Sequence, residues 1–451
     1  MSAKITCYGG AGSVTGANFH FDIGTAKLLV DCGTHERENI CDPENHKPFP
    51  YDVSALDALI VTHGHQDHIG RIPKLLREGF KGVIHSTHAT KDIAALMFDD
   101  ALRVMDQEAE RSGCGALYEK KDVDAALNCW EGHEYHESLQ IADAKIEFLD
   151  SGHILGSALV KIMRGGRTII FTGDLGNSPE PLLNDTESPA GANYLLMESV
   201  YGDRLHEGRD ERQDVLRESI EETRKKGGTL LIPSFSVERT QILLFEIHKM
   251  IKEGKMQPIP VYLDAPLAER ITGVFRKYKN LLNAEAREEF SHGDIFSFPG
   301  LVEVVTTGHS QAIHAKPDPK VIIAGAGMSS GGRIRAHEKR YLPDDKASIL
   351  FTGYQSPGSL GRRIQEGTPN VRIDNDSVKV RATIGSLTGY SGHRDRDGLL
   401  EFVQGAGESL ERVFVTMGEP KAAMFLVQRI RDFLGLDASA PQEGEIIDVE
   451  I

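Results

Sequence analysis

At 451 residues, about 40 % hydrophobic and 26 % charged, the chain can bury a large core and is too long for one ordinary domain, so two domains or one domain with a large insertion is expected. The net charge of −16 argues against a polyanionic substrate for the chain as a whole, yet residues 204–387 hold 28 Lys+Arg against 24 Asp+Glu. That middle stretch is net +4 and the remainder −20, so the middle can face a nucleic acid.

In chain order, short β-rich runs come first, at residues 4–8, 17–23, 27–31 and 58–62. Helical patterns follow at 69–77, 91–107 and 121–127, then a second strand set at 145–149, 158–164, 168–172 and 194–197. From about Arg204 the pattern changes to helix 209–226, strand 229–232 and helix 240–253, continuing through 261–263, 267–278, 302–305 and 321–324 in the βαβ rhythm of a doubly wound sheet. Strands return at 378–384 and 412–416, with a helix at 421–434. An α/β module therefore sits inside a second α/β module, with no internal repeat. No run approaches the roughly 18 apolar residues of a spanning helix, and the first residues lack a signal-peptide core, so a cytoplasmic protein without membrane contact is expected. Five cysteines (Cys7, Cys32, Cys41, Cys114, Cys129), odd in number and without a CxxC pair, predict neither a disulfide framework nor a cysteine zinc site.

Directly after the apolar run 58–62, His63, His65, Asp67 and His68 place three imidazoles and a carboxylate within six positions. His63 and His65, two apart in extended chain, point the same way, while Asp67 and His68 enter a helix and can face a second point. Nitrogen and oxygen donors without thiolates suit zinc or another borderline first-row ion. The alternative is a loop of surface histidines. Further candidates close other strands: His153 in a Gly-rich turn, Asp174 after the strand at 168–172, and Asp31 after 27–30. Each alone reads as a turn or cap residue; beside the histidine run they read as a metal centre.

The order Asp31, His63-x-His65-x-Asp67-His68, His153, Asp174 resembles the motif series of the metallo-β-lactamase superfamily. Downstream, the segment 197–203 (Met-Glu-Ser-Val-Tyr-Gly-Asp) is similar to the acidic motif of the β-CASP ribonucleases. So are 233–241 (Pro-Ser-Phe-Ser-Val-Glu-Arg-Thr-Gln), 327–333 (Gly-Met-Ser-Ser-Gly-Gly-Arg) and 389–393 (Gly-Tyr-Ser-Gly-His). The resemblance implies an α/β fold: an αβ/βα sandwich split between residues 1–203 and 388–451, with a doubly wound β-CASP cap domain at 204–387 leaving a cleft for single-stranded RNA. It implies two Zn2+ ions, one on His63, His65 and His153, the other on Asp67 and His68, with Asp174 bridging. It also implies Asp31 orienting the ligands, His393 as general acid and Glu198 as its partner. A glycine-rich loop with Ser329 and Arg333, together with Arg239, is the expected substrate contact.

One position departs from the family pattern. Where the family carries a histidine of the second metal's shell, this chain has Met417, and a neutral thioether is a poor zinc ligand beside carboxylates and imidazoles. The favoured expectation is a metal-dependent endoribonuclease, with a 5′ exonuclease mode left open and a homodimer as the candidate assembly. The alternatives are an RNA-binding scaffold of weakened activity and a hydrolase of small thioesters or lactones. Seven retained metal-centre positions argue against the first alternative, and the large insertion argues against the second.

Overall fold

The computed structural model describes residues 2–35, 41–206, 208, 211–356 and 358–451. Its strands are β1 (Ser2–Cys7), β2 (Phe19–Asp22), β3 (Lys27–Val30), β4 (Ala58–Ile60), β5 (Val83–Thr87) and β6 (Trp130–His133), then β7 (Ser138–Ile141), β8 (Ala144–Asp150), β9 (Ala158–Arg164), β10 (Arg167–Phe171) and β11 (Tyr194–Met197). They continue with β12 (Thr229–Pro233), β13 (Val261–Asp264), β14 (Leu301–Glu303), β15 (Lys320–Ala324), β16 (Ser348–Phe351), β17 (Asn370–Ile373), β18 (Asp376–Lys379) and β19 (Thr383–Ser386). The last are β20 (Arg412–Val415), β21 (Asp437–Ser439) and β22 (Ile446–Glu450). The chain divides into one unit of Met1–Leu205 with His393–Ile451 and a second of His206–Gly392.

The first unit holds two seven-stranded sheets, ordered β22-β1-β2-β3-β4-β5-β6 and β21-β20-β11-β10-β9-β8-β7. Their facing sides share one core, to which Phe19, Phe21, Leu28, Val30 and Ile60 contribute from the first sheet and Phe148, Val160, Phe171 and Leu196 from the second. Alternate residues of the same strands turn outward. Leu29, Leu59 and Ile84 pack under the helices of residues 88–112 and 120–128, and Leu195, Met197, Val413 and Val415 pack under Arg396–Gln404 and Pro420–Arg429. Strands covered on both faces must be apolar throughout, which is why β4, β11 and residues 28–30 of β3 read as unbroken hydrophobic runs. The result is an αβ/βα sandwich. β10, β11 and β20 run parallel, as do β3 and β4, so the loops leaving their C-terminal ends gather at one edge.

In the second unit six strands, ordered β14-β13-β15-β12-β16-β19, pair in parallel throughout, with helices Arg212–Lys226, Arg239–Lys252, Pro266–Lys277 and Ile334–Tyr341 among the crossovers. This is the doubly wound sheet expected from the βαβ rhythm. Among the described residues no helix is long and apolar enough to cross a membrane.

Several elements differ from the sequence reading. The helix expected at 69–77 is two, Gln66–Ile69 and Ile72–Arg77, because the backbone of the intervening turn is tied to the β3 loop, where Arg71 N donates to Cys32 O at 2.9 Å. The run 378–384 is likewise two strands, one in the β17–β18 hairpin and one on the edge of the parallel sheet. The first residues of the helix expected at 209–226 lie outside the described residues, and it is described from Arg212. The expectation of no disulfide is corrected: Cys41 and Cys114, 73 residues apart, are bonded, because the chain after β3 returns to the end of the helix of residues 88–112. Sequence spacing carries no sign of such a long-range pair. Cys7, Cys32 and Cys129 are free. Alkylation of the unreduced, denatured chain is expected to label three thiols and, after reduction, five, read by intact mass; five in the unreduced chain would rule the bond out.

Candidate metal centre

Asp31 ends β3 with a left-handed backbone (φ 60°) and is wholly buried. Its carboxylate accepts from Thr62 N and Thr62 Oγ1, both at 2.8 Å, and lies 2.7 Å from His68 Nδ1. Three contacts with one acidic group fix the start of the histidine run and the ring of His68 together. The run is held from the other side by main chain: Cys32 N donates to His68 O at 2.8 Å, Thr34 N to Gln66 O at 3.0 Å, and Ala17 N to Asp67 O at 3.0 Å. Gly33 is required here, since a Cβ on it would lie 1.5 Å from Asp67 O.

Four donor atoms then converge. His65 Nδ1 lies 3.1 Å from His63 Nε2 and 3.3 Å from His153 Nε2. Asp174 Oδ2 lies 3.4 Å from His63 Nε2 and 3.3 Å from His153 Nε2. An ion about 2.0–2.1 Å from four tetrahedral ligands sets those ligands about 3.3–3.4 Å apart, so the donors already stand close to the spacing a bound ion needs. The other oxygen, Asp174 Oδ1, lies 3.4 Å from His68 Nε2, and Asp67 Oδ2 is 3.9 Å from that same nitrogen. His68 Nε2 is buried and makes no well-directed hydrogen bond, facing only the Asp174 and Asp67 carboxylates at 3.4 and 3.9 Å, a setting in which a cation between them would take up its lone pair. The two oxygens of Asp174 thus belong to two adjacent donor sets.

Burial, reinforced by neighbouring imidazoles, holds His63 and His65 well below the ordinary histidine range, leaving them neutral and able to ligate. Burial would lower His68 too, but Asp174, Asp31 and Asp67 outweigh it and raise the imidazole well above its usual value. Burial raises Asp67 and Glu198. At Asp174 burial is outweighed by His68, His393 and His63, which hold the carboxyl well below its usual range. Beside these sets, His393 Nδ1 lies 3.2 Å from Glu198 Oε1 and 3.9 Å from Asp174 Oδ2, and its ring is centred 4.8 Å from that of His153. Glu198 is wholly buried and also accepts from Leu175 N at 2.6 Å.

With this geometry in hand, similarity to known proteins becomes informative. A metallo-β-lactamase superfamily domain matches residues 19–198, a Beta-Casp domain 240–364, and a Zn-dependent metallo-hydrolase RNA specificity domain 377–441. A ribonuclease of Thermus thermophilus is 36 % identical over 448 residues, covering 99 % of this chain and all of the relative. The transcription termination factor FttA of Pyrococcus horikoshii is 31 % identical, over 98 % of this chain and 70 % of its own. This chain belongs to the β-CASP family of the metallo-β-lactamase superfamily. A crystal structure of a protein of unknown function from Enterococcus faecalis shares the fold over the full length of both chains, with a TM-score of 0.60 at 12 % identity.

Other residues of this β-CASP chain have partners that composition could not reveal. Met417, at the end of β20 with φ 47°, is fully buried in the core between the sheets. In the second unit, Ser329 Oγ donates to Glu338, and Arg333 Nη1 pairs with Asp264 at 2.6 Å while also reaching Val304 O. Arg239 Nη1 donates to Thr352 O at 2.6 Å. The sequence reading passed over Thr62 and Ser157. Ser157 Oγ accepts from His153 N at 3.1 Å and Ile154 N at 3.2 Å, and so sets the turn that aims His153. Both lie inside or beside the motif runs, where a hydroxyl next to a ligand is the available signal.

Replacing Gly33 by alanine tests the lashing of this loop. Gly33→Ala is expected to cost about 1–3 kcal/mol through overpacking and to lower the metal content per chain; unchanged denaturation midpoint and metal content would show that the close approach to Asp67 is unimportant.

Proposed function

We propose that this β-CASP metallo-hydrolase is a ribonuclease that hydrolyses phosphodiester bonds of single-stranded RNA at a two-zinc centre. The observation that carries the reading is the division of Asp174 between the His63, His65, His153 set and the His68, Asp67 set, with an acid–base pair alongside. On this reading His63, His65 and His153 would hold one ion and Asp67 and His68 the other, with Asp174 shared between the two sets. Two such ions, when bound, polarise the phosphoryl group, lower the pKa of a water and offset charge in the displacement.

The chain's own residues do the rest. Asp31 fixes His68 in one orientation and tautomer, with Nδ1 turned to the carboxylate and Nε2 to the centre. His393, held at Nδ1 by Glu198 and, against the pull of burial, raised to about 9 by Glu198 and Asp174, is the proton donor to the leaving oxygen. The Thermus relative is named a ribonuclease, and the match at 377–441 is to an RNA specificity domain; both support RNA as the substrate. Of the residues expected to contact substrate in the cap at 204–387, Ser329 and Arg239 are buried and bonded to Glu338 and Thr352 O, and Arg333 is paired with Asp264, so each is first engaged inside the fold.

A second reading has one observation in its favour. Met417 belongs to the apolar core, so the second donor set has three protein side chains and no fourth from this position. An RNA-binding relative of weak turnover would follow from a poorly held second ion.

His65→Ala and Asp67→Ala are each expected to abolish cleavage of a labelled single-stranded RNA in folded, pure protein; persisting cleavage in both would overturn the assignment. Salt-sensitive RNA binding without turnover in the wild type would favour the second reading. His393→Ala is expected to lower kcat by about 10²–10⁴-fold, the usual worth of a general acid, while metal content stays at the wild-type value; an unchanged kcat would remove His393 from that role.

A further inference from the structure

A separate group of donors lies where the first sheet ends. β6 is the terminal strand of that sheet and pairs in parallel with β5, so that His85 stands opposite Glu131 and Thr87 opposite His133. Alternate residues share a face, which puts His85, Glu131 and His133 on one side and Ile84, Ser86 and Trp130 on the other. Trp130 Nε1 donates to Ser86 Oγ at 2.8 Å on the helix-covered side. The opposite side faces the second sheet, where the ring of His133 stacks on Phe148 with centroids 5.9 Å apart.

On that side His85 Nδ1 and His133 Nε2 are 3.0 Å apart, and Glu131 Oε2 is 3.9 Å from His85 Nδ1. One nitrogen and one carboxylate oxygen from these three residues all lie within 4.8 Å of one another. We propose that His85, Glu131 and His133 form a second and independent divalent-cation site, of zinc type, at the edge of the first sheet.

Three features support the assignment. Both imidazoles are buried, at 5 % and 8 % exposure, whereas the Glu131 side chain is 62 % exposed, so an ion reaches the pair from solvent past an exposed carboxylate. Behind His133, its Nδ1 lies 3.6 Å from Glu137 Oε1, and Glu137 is itself fixed by Glu134 N at 3.0 Å. A carboxylate facing the far nitrogen is the usual neighbour of a metal-bound histidine, and at 3.6 Å a small shift of Glu137 brings it into hydrogen-bond range of that nitrogen. Burial, helped by His133, pushes His85 down to about 4.

The spacing needs little change. Tetrahedral ligands about 2.0–2.1 Å from zinc stand about 3.3–3.4 Å apart, a few tenths wider than the present His85–His133 contact, and the exposed Glu131 has room to close in. His88 does not compete: a Cβ on Gly132 would lie 2.3 Å from His88 Nδ1, and Gly132, between Glu131 and His133, turns to the opposite face. Three protein donors leave one position for water. An ion here ties the edge strand β6 to β5.

The test uses the full chain with His63→Ala and Asp174→Ala, which takes ligands from both donor sets of the main centre, and measures zinc per chain by mass spectrometry with a competition titration for affinity. This variant is expected to retain about one zinc, lost when His133→Gln is added. Glu131→Gln, at an exposed position, is expected to weaken zinc binding at least about ten-fold, and Glu137→Gln about ten-fold, the usual effect of a group behind a ligand. Absence of zinc from the folded double variant would overturn the proposal. So would an affinity that Glu131→Gln leaves unchanged, and this variant decides the matter should His133→Gln fail to fold. The readout is metal at this edge alone, so it stands apart from whether RNA is cleaved.

Discussion

The Asp31 carboxylate lies wholly inside the protein, and it is tolerated there because Thr62 N, Thr62 Oγ1 and His68 Nδ1 all turn toward it. A buried carboxylate without such partners would cost several kcal/mol or take up a proton. Here it joins the ends of two parallel strands, β3 and β4, and sets the angle of the loop that follows. The whole histidine run is aimed from that joint. His68 has one nitrogen committed to Asp31 and the other presented to Asp174, so the hydrogen bond inside the fold determines what the outward nitrogen can do.

The same logic governs the rest of the centre. Asp174 sits among His63, His68, His153 and His393, and Glu198 is buried beneath His393. Packing several acids and bases into one dry corner pushes their pKa values apart: His63 and His65 are held low, while His68 is raised and Asp174 is lowered by one another. That combination favours a cation, and an ion bound there links folding stability to metal supply. The sandwich carries this cost because the inter-sheet core, with Phe19, Phe21, Phe148 and Phe171, is large and the polar cluster is confined to the strand ends. Met417 belongs to the apolar side of that boundary. A histidine at this place would need a polar partner, and the chain instead extends the core up to the edge of the site.

The β-CASP unit rests on a different device. Its parallel sheet is buried, and the polar groups at its strand ends satisfy one another: Asp264 takes Arg333 at 2.6 Å, His337 at 2.7 Å and Ser310. Arginine there serves first to hold β13 against the loop after β15. Basic residues in a positively charged stretch therefore cannot be read as free phosphate contacts from their number alone, because some are spent on internal carboxylates.

The local order of the chain was legible because it rests on short-range physics. Short apolar runs bounded by turns identified β3, β4, β9 and β11, the βαβ rhythm identified the doubly wound insertion, and donor residues at strand ends marked His63, His65, Asp67, His68, His153 and Asp174 as candidates for one group. What escaped were features whose partners are distant or whose strands carry polar residues. β5 and β6 were missed because His85, Glu131 and His133 interrupt the apolar pattern, and the Cys41–Cys114 bond joins positions 73 residues apart. Which oxygen of Asp174 meets which imidazole, where Met417 points its side chain and what Arg333 and Ser329 hold are questions of three-dimensional packing. Sequence determines which groups are available and at which strand ends they stand; only the closing of the two sheets decides the ångström-scale distances between them, because those distances depend on every layer packed beneath.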